Sequence, residues 1–201
     1  GPFGLTKYNC STVADIRKVN SHIYYVRNYA RTVGDNTPTL VRSRLGWNGS
    51  SVVHQAPEAL VEGVENIRVE LGLDNVSSTG GPLNFTVRPS FAGTNLRTPA
   101  NRGDGAPDTY LRCTNTDAGA TPPTTSNCGV SELMSVVAVK FHMLVRSDPL
   151  PAGTPRDTKT YLVGTENIAD NQLNPTDKNF TRHVFTQTVR VVNVSSRRES
   201  P

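Results

Sequence analysis

The chain of 201 residues lacks most of the signatures that would assign it a chemistry. No segment approaches the ~18 consecutive apolar residues of a membrane-spanning helix. There is no C-x-x-C, H-x-x-x-H or H-E-x-x-H cluster, and a zinc site needs convergent Cys or His ligands of that kind. The histidines His22, His54, His142 and His183 stand apart and read as structural or surface residues. G-x-S-x-G, Walker-type and G-x-G-x-x-G stretches are missing too. That removes the nucleophile elbow and the loops that cradle phosphates. No catalytic residue and no cofactor is expected. Basic stretches interleaved with aromatics are also lacking, although the formal net charge is +4. Arg27, Arg31, Arg42, Arg44, Arg68 and Arg88 are scattered singly, so the footprint of a nucleic-acid binder is not there. The positive charge reads as a solvated surface.

What is present is a polar, loop-rich but globular composition. Hydrophobic residues make up 35% and charged residues 19%, with 16 Gly and 14 Pro. Val, Ile, Leu and aromatics still recur in short runs between Gly, Pro, Asn and Thr clusters, which favours a β-rich domain over disorder. The length suits one well-buried core. Gly1-Pro2 is also the pair a common tag-removing protease leaves behind. Residues 1–20 are therefore expected to be an irregular lead-in with a tag remnant at 1–2. A single domain over 21–194 follows, then a polar tail, 195–201.

Alternation places the strands. Ser21–Asn28 and Thr39–Trp47 flank the turn residues Gly34-Asp35-Asn36-Thr37-Pro38 and read as a hairpin. Ala56–Val61, with Pro57 and Glu58 at its start, reads as a short helical turn. Val64–Leu73 alternates most cleanly, with Ile67, Val69, Leu71 and Leu73 opposite Asn66, Arg68 and Glu70. Glu132–Arg146 is the strongest core segment and is expected to be centrally buried, with Val137, Val139, Phe141, Met143 and Val145 sharing one face. Lys140, His142 and Arg146 share the other face with Ala138 and Leu144. Asn84–Val87, Thr160–Val163 and Arg182–Val194 complete the expected strands. Between them lie two long loops, 75–106 and 114–129, and loops of that length are usually functional or mobile.

Three cysteines occur: Cys10, Cys113 and Cys128. Cys113 and Cys128 bracket a Thr-, Pro- and Asn-rich loop whose closure would remove about 3 kcal/mol of unfolded-state entropy. A Cys113–Cys128 disulfide is the favoured reading, with an oxidising compartment; three reduced thiols are the alternative. Cys10 is then left over, or pairs with either of the others or with a partner outside the chain. Asn101, Asp104 and Asp108, with Asp74 as a fourth, offer oxygens for a calcium ion. Their spacing fails the D-x-[DN]-x-[DN]-G pattern, so an Asx and Gly turn is preferred and no metal is expected.

Several of these segments resemble the PilW family of type IV pilus minor pilins. Ile23-Tyr24-Tyr25-Val26 followed by Thr37-Pro38-Thr39-Leu40-Val41-Arg42 resembles its tyrosine strand and the strand after it. Leu60–Asp74, with Gly103-Asp104-Gly105 and Asp108-Thr109-Tyr110, is similar to its central block. Val136–Phe141 with Leu144–Ser147, and Arg182–Arg190 running to Asn193, resemble its last strands. Departures are Leu71 for the usual Tyr, Val192 for a common Arg, and expansions at 75–100 and 114–129. The resemblance implies an α+β, strand-dominated, pilin-like head with antiparallel sheets, its N-terminal helix largely removed. It implies a non-catalytic subunit of a Gram-negative bacterium, anchored by that missing helix at the periplasmic face of the inner membrane. From there it would pass to the pilus or cell surface. Its partners would be other minor pilins and a tip adhesin-like protein, with which it would prime or cap the pilus. A type II secretion pseudopilin is the near alternative; a surface adhesin or calcium-dependent binding module is a more distant one.

Overall fold

The computed structural model describes Gly4, 6–7, 9–16, 19–84, 101–113, 128–155, 157–169 and 179–192. The chain forms two compact units, Gly1–Glu62 and Gly63–Pro201.

In the first unit, β1 (His22–Arg27) pairs antiparallel with β2 (Thr39–Trp47), from His22 opposite Arg44 to Arg27 opposite Thr39. The hairpin expected between them is present. Its turn is built on Asp35, whose carboxylate accepts backbone N–H bonds from Ala30, Arg31, Thr32 and Thr37. Gly34 and Asn36 take positive φ there, 97° and 54°, which glycine and asparagine tolerate best. A second turn places Asn48 Oδ1 as acceptor for the amides of Ser50 and Ser51. The chain then returns along the other edge of β2, first as β3 (Val52–His54) and then as β4 (Glu58–Glu62).

The expected helical turn at Ala56–Val61 is thus corrected to strand. Glu58 lies opposite Arg42 and Glu62 opposite Thr39. The open edge of β2 offers ladder bonds to this segment, and that tertiary gain overrides a weak local preference. Pro57 sits between β3 and β4, where no ladder donor is required. Within 1–20, Thr6 bridges Val13 and Lys7 N–H donates to Thr12 O.

The second unit is a four-stranded antiparallel sheet in the order β10-β7-β5-β6, plus a two-stranded hairpin, β8-β9. The strands are β5 (Val64–Leu73), β6 (Thr109–Leu111), β7 (Val136–Arg146), β8 (Thr160–Val163), β9 (Glu166–Ala169) and β10 (Arg182–Arg190). Val64–Leu73 and Thr160–Val163 are strands as the alternation requires. Arg182–Val194 is strand as far as Arg190. Asn84 lies outside any strand, and Phe85–Val87 lie outside the described residues. Glu132–Arg146 is not one strand. Val130–Met134 form the short helix α1 after Gly129, and β7 begins at Val136. Leu133 and Met134 are exposed, so the apolar letters there carry no core.

Both faces of β7 carry buried residues, but unequally. Leu144, on the face shared with Lys140, His142 and Arg146, is fully buried, as a central strand requires, and packs with Val163 and Ile168 of the β8–β9 hairpin, backed by Tyr161 and Val184. On the other face Val137 is fully buried, while Val139, Phe141, Met143 and Val145 are half-buried.

Candidate functional site

On the hairpin-covered face, cross-strand pairing brings charged side chains together. Lys140 lies opposite Glu70, and His142 lies opposite Arg68 on one side and Thr186 on the other. His142 Nε2 is 3.3 Å from Glu70 Oε2, and its Nδ1 is 2.9 Å from Thr186 Oγ1. A carboxylate, an imidazole and a hydroxyl thus bond in series across β5, β7 and β10. That order is also found in nucleophilic relays, but here each group belongs to a neighbouring strand of one sheet. The series braces the three strands. Arg68 donates to Glu166 from Nε at 3.0 Å, and Arg112 donates to the other carboxylate oxygen of Glu166. Glu166 therefore pins β9 to the sheet. Lys140 Nζ lies 3.3 Å from the centroid of the Tyr110 ring, a cation–π contact. Gly164, at φ 66°, passes over this cluster, and a Cβ there would stand 3.0 Å from Glu70 Oε1.

A second cluster depends on a β-bulge. Val64 faces Val145 and Asn66 faces Leu144, so Glu65 is the extra residue on β5. A bulge re-aims a side chain, and Glu65 here meets Arg182 through Nε at 2.6 Å and Nη2 at 3.2 Å. Arg146 Nη1 lies 3.6 Å from Glu65, and its guanidinium covers the buried Phe180 ring at 4.0 Å. Alongside runs a cleft of about 310 Å³ lined by Leu150, Pro155, Lys159, Tyr161, Phe180 and Arg182 among others. Burial and a hydrogen bond to Asp157 push the Tyr161 hydroxyl up to about 12. Sequence reasoning missed this cluster. Its one available signal was Glu65, which interrupts an otherwise regular alternation.

The opposite face of the same sheet carries a largely apolar, partly exposed row. Cross-strand neighbours there are Ile67 with Met143, Val69 with Phe141, and Leu71 with Val139. On β10 the row continues with Phe185 beside Met143 and Val189 beside Val139. Val69 is 38% exposed, Phe185 51% and Val189 49%. Isolated exposed hydrophobics need no explanation, but a contiguous apolar sheet face marks an interaction surface.

The residues singled out in the sequence fall elsewhere. Cys113 and Cys128 are joined by a disulfide, Cα–Cα 5.3 Å; Cys10 is exposed and outside that bridge. Asp108 Oδ2 accepts from the amides of Asn75 and Val76, and Asp74 Oδ2 from Gly105. Asn101 bonds Asn84 through both side-chain heteroatoms, and Asp104 caps Ala106. These oxygens fasten loop 75–84 to loop 101–108. Among the described residues, no three or more His, Cys, Asp or Glu are grouped to hold a metal ion. Nor is any described helix long and apolar enough to cross a membrane. Of the two long loops, 75–106 and 114–129, residues 85–100 and 114–127 lie outside the described residues.

Residues 23–193 match the model of the family described as Type IV Pilus-assembly protein W, PilW. The chain belongs to that family. The match spans both units, from the second residue of β1 to just past β10, and covers both side-chain clusters of the second sheet. No curated protein and no solved structure matches the chain. Membership connects this PilW-family chain to type IV pilus assembly, and so to the cell envelope. Such a family is generally non-enzymatic. The braces on one sheet face and the open apolar area on the other suit that kind of role.

Proposed function

We propose that this PilW-family chain is the non-catalytic, pilin-like head of a minor pilin. The open apolar face of its second sheet packs against a helical stem that anchors the protein at the periplasmic side of the inner membrane. The single observation that carries the reading is the row Ile67, Val69, Phe141, Met143 and Phe185, half-buried or exposed on a sheet whose other face the β8–β9 hairpin covers in part. A sheet with one covered and one apolar open face wants a second layer. An apolar helix stripe is the layer that fits a twisted sheet in an assembly family of this kind. In this role the head joins other minor pilins and a tip adhesin-like protein to prime or cap the pilus. Loops 75–106 and 114–129 supply neighbour contacts, as loops on a rigid scaffold commonly do.

The test is a Val69→Lys, Phe141→Lys double variant of the full-length protein. Circular dichroism of the soluble head checks its fold, while piliation and co-purification of other pilus subunits are scored in cells. A folded head with lost piliation supports the reading. Normal piliation and normal co-purification would remove it. Deleting residues 115–126 in parallel separates the loop contribution from that of the face.

A further inference from the structure

Strand β10 is the outer strand of its sheet. Val191 N–H donates to Val137 O and Ser147 N–H to Thr181 O. The ladder with β7 therefore uses the odd-numbered residues of β10, and the N–H and C=O groups of Val184, Thr186 and Thr188 point away from the sheet. Among the described residues, no strand pairs with that edge. Thr188 O accepts from the Gln187 side-chain amide at 3.1 Å. Natural edge strands are normally blunted by Lys, Pro, a bulge or shortness. From His183 to Val189 there is no Lys, Asp, Glu, Pro or Gly, and the β7–β10 register runs without a shift. At nine residues this edge is three times the length of β6 at the other side of the sheet.

We propose that two copies of this chain pair antiparallel through the outer edge of β10, with Gln187 facing Gln187 across a two-fold axis. This goes beyond the minor-pilin reading and does not depend on it. The even-numbered residues that point outward must bond one another across the axis, which restricts the register. With Gln187 at the centre, Thr186 bonds Thr188 of the other copy on both sides of the axis. Phe185 lies opposite Val189, also twice, on the open apolar face. Arg190 falls opposite Val184, so no like charges are opposed. The strand is thus complementary to itself in the way an isologous contact requires. The same pairing joins the two apolar faces into one continuous surface.

Sedimentation and light scattering of the 201-residue chain over a concentration series test the pairing, in a Cys10→Ser background that removes the exposed thiol. Thr188→Pro deletes an outward N–H and leaves the β7 ladder whole. It should raise the dimer dissociation constant about tenfold or more with an unchanged circular dichroism spectrum. Gln187→Cys places two thiols directly opposite, within disulfide reach, so mild oxidation should give a covalent dimer. Phe185→Cys should not, because the two copies of that residue lie about 13 Å apart in this register. Three results would each overturn the proposal. They are a monomer at every concentration, dimerisation indifferent to Thr188→Pro, and Gln187→Cys cross-linking no better than Phe185→Cys. Association with a strand of a different subunit but never with itself is the first of these.

Discussion

Arg182 grips both carboxylate oxygens of Glu65, with its own side chain fully covered and that of Glu65 only 3% exposed. The two residues come from opposite ends of the second unit, 117 positions apart in sequence. β10 and β5 are not neighbours in the sheet: both pair with β7, and the salt bridge crosses its end at Arg146.

Removing Arg182 leaves the buried Glu65 carboxylate with only the longer contact to Arg146, and breaking a buried pair typically costs about 3–5 kcal/mol. Arg182→Met should therefore unfold the second unit at markedly lower denaturant. Replacing both partners by groups of similar shape is far milder, so adding Glu65→Gln should recover part of the loss. Urea melts of the two variants check the prediction; equal destabilisation by the single and the double change would contradict it.

Gly63 marks the start of the second unit. Its φ is 84°, and a Cβ there would stand 2.9 Å from the carbonyl oxygen of Arg146. That oxygen belongs to backbone and has little room to retreat, since Arg146 N–H also donates to Gly63 O. Gly63→Ala combines left-handed strain of about 1–2 kcal/mol with this overlap. The expected result is a fall in stability of roughly 2 kcal/mol or more, read as a lower midpoint in the same melts.

Local pattern made the long strands legible, and non-local pairing hid the rest. Val64–Leu73 could be read as strand from its period-2 split, since Gly72 and Asp74-Asn75 cut a rival helix short. Ala56–Val61 misled because Pro57 and Glu58 imitate a helix start. The partner that makes Glu58–Glu62 a strand is β2, eighteen or more residues earlier in the chain for most pairs. The two faces of β7 could be separated and burial of the segment expected, but not how unequally the faces would be covered. Val137, Val139, Phe141, Met143 and Val145 are the more apolar set. Yet the hairpin places Val163 and Ile168 on Leu144, and His142 and Glu70 are buried with it. That outcome depends on Arg68, Arg112 and Glu166 meeting across the sheet, a pairing no local window contains. The Cys113–Cys128 bridge was readable because the loop between them has no apolar pattern of its own.

Reduction of that bridge tests its energetic share. Cys113 and Cys128 are 15 positions apart, and a loop of that length is worth about 3 kcal/mol on the chain-entropy account. A Cys113→Ser, Cys128→Ser variant should lose about that much stability, and reductant should lower the melting temperature of the parent but not of the variant. A reductant effect that persists in the double variant would assign the sensitivity to another group.

Asp35 provides the pH test. Amide hydrogen bonds, first from Arg31 and then Thr37 with Ala30 and Thr32 adding to them, outweigh a small burial penalty and hold its carboxyl well below its ordinary 3.8. A carboxyl with a depressed folded value stabilises the native state at any pH above its unfolded value. The contribution fades as pH falls through the folded value. Both oxygens are occupied as acceptors: Oδ1 by Ala30 and Thr37, Oδ2 by Ala30, Arg31 and Thr32. Asp35→Asn turns one of them into a donor aimed at N–H groups, much as protonation does. At neutral pH the variant should melt lower than the parent and loosen the turn between β1 and β2. As the pH is taken below 3.8 the two melting curves should converge, because the parent then loses what the variant already lacks. Hydrogen exchange at the Arg31, Thr32 and Thr37 amides reads the same change locally. A constant gap between the two proteins across the acid range would show that the aspartate acts through shape and not through its charge.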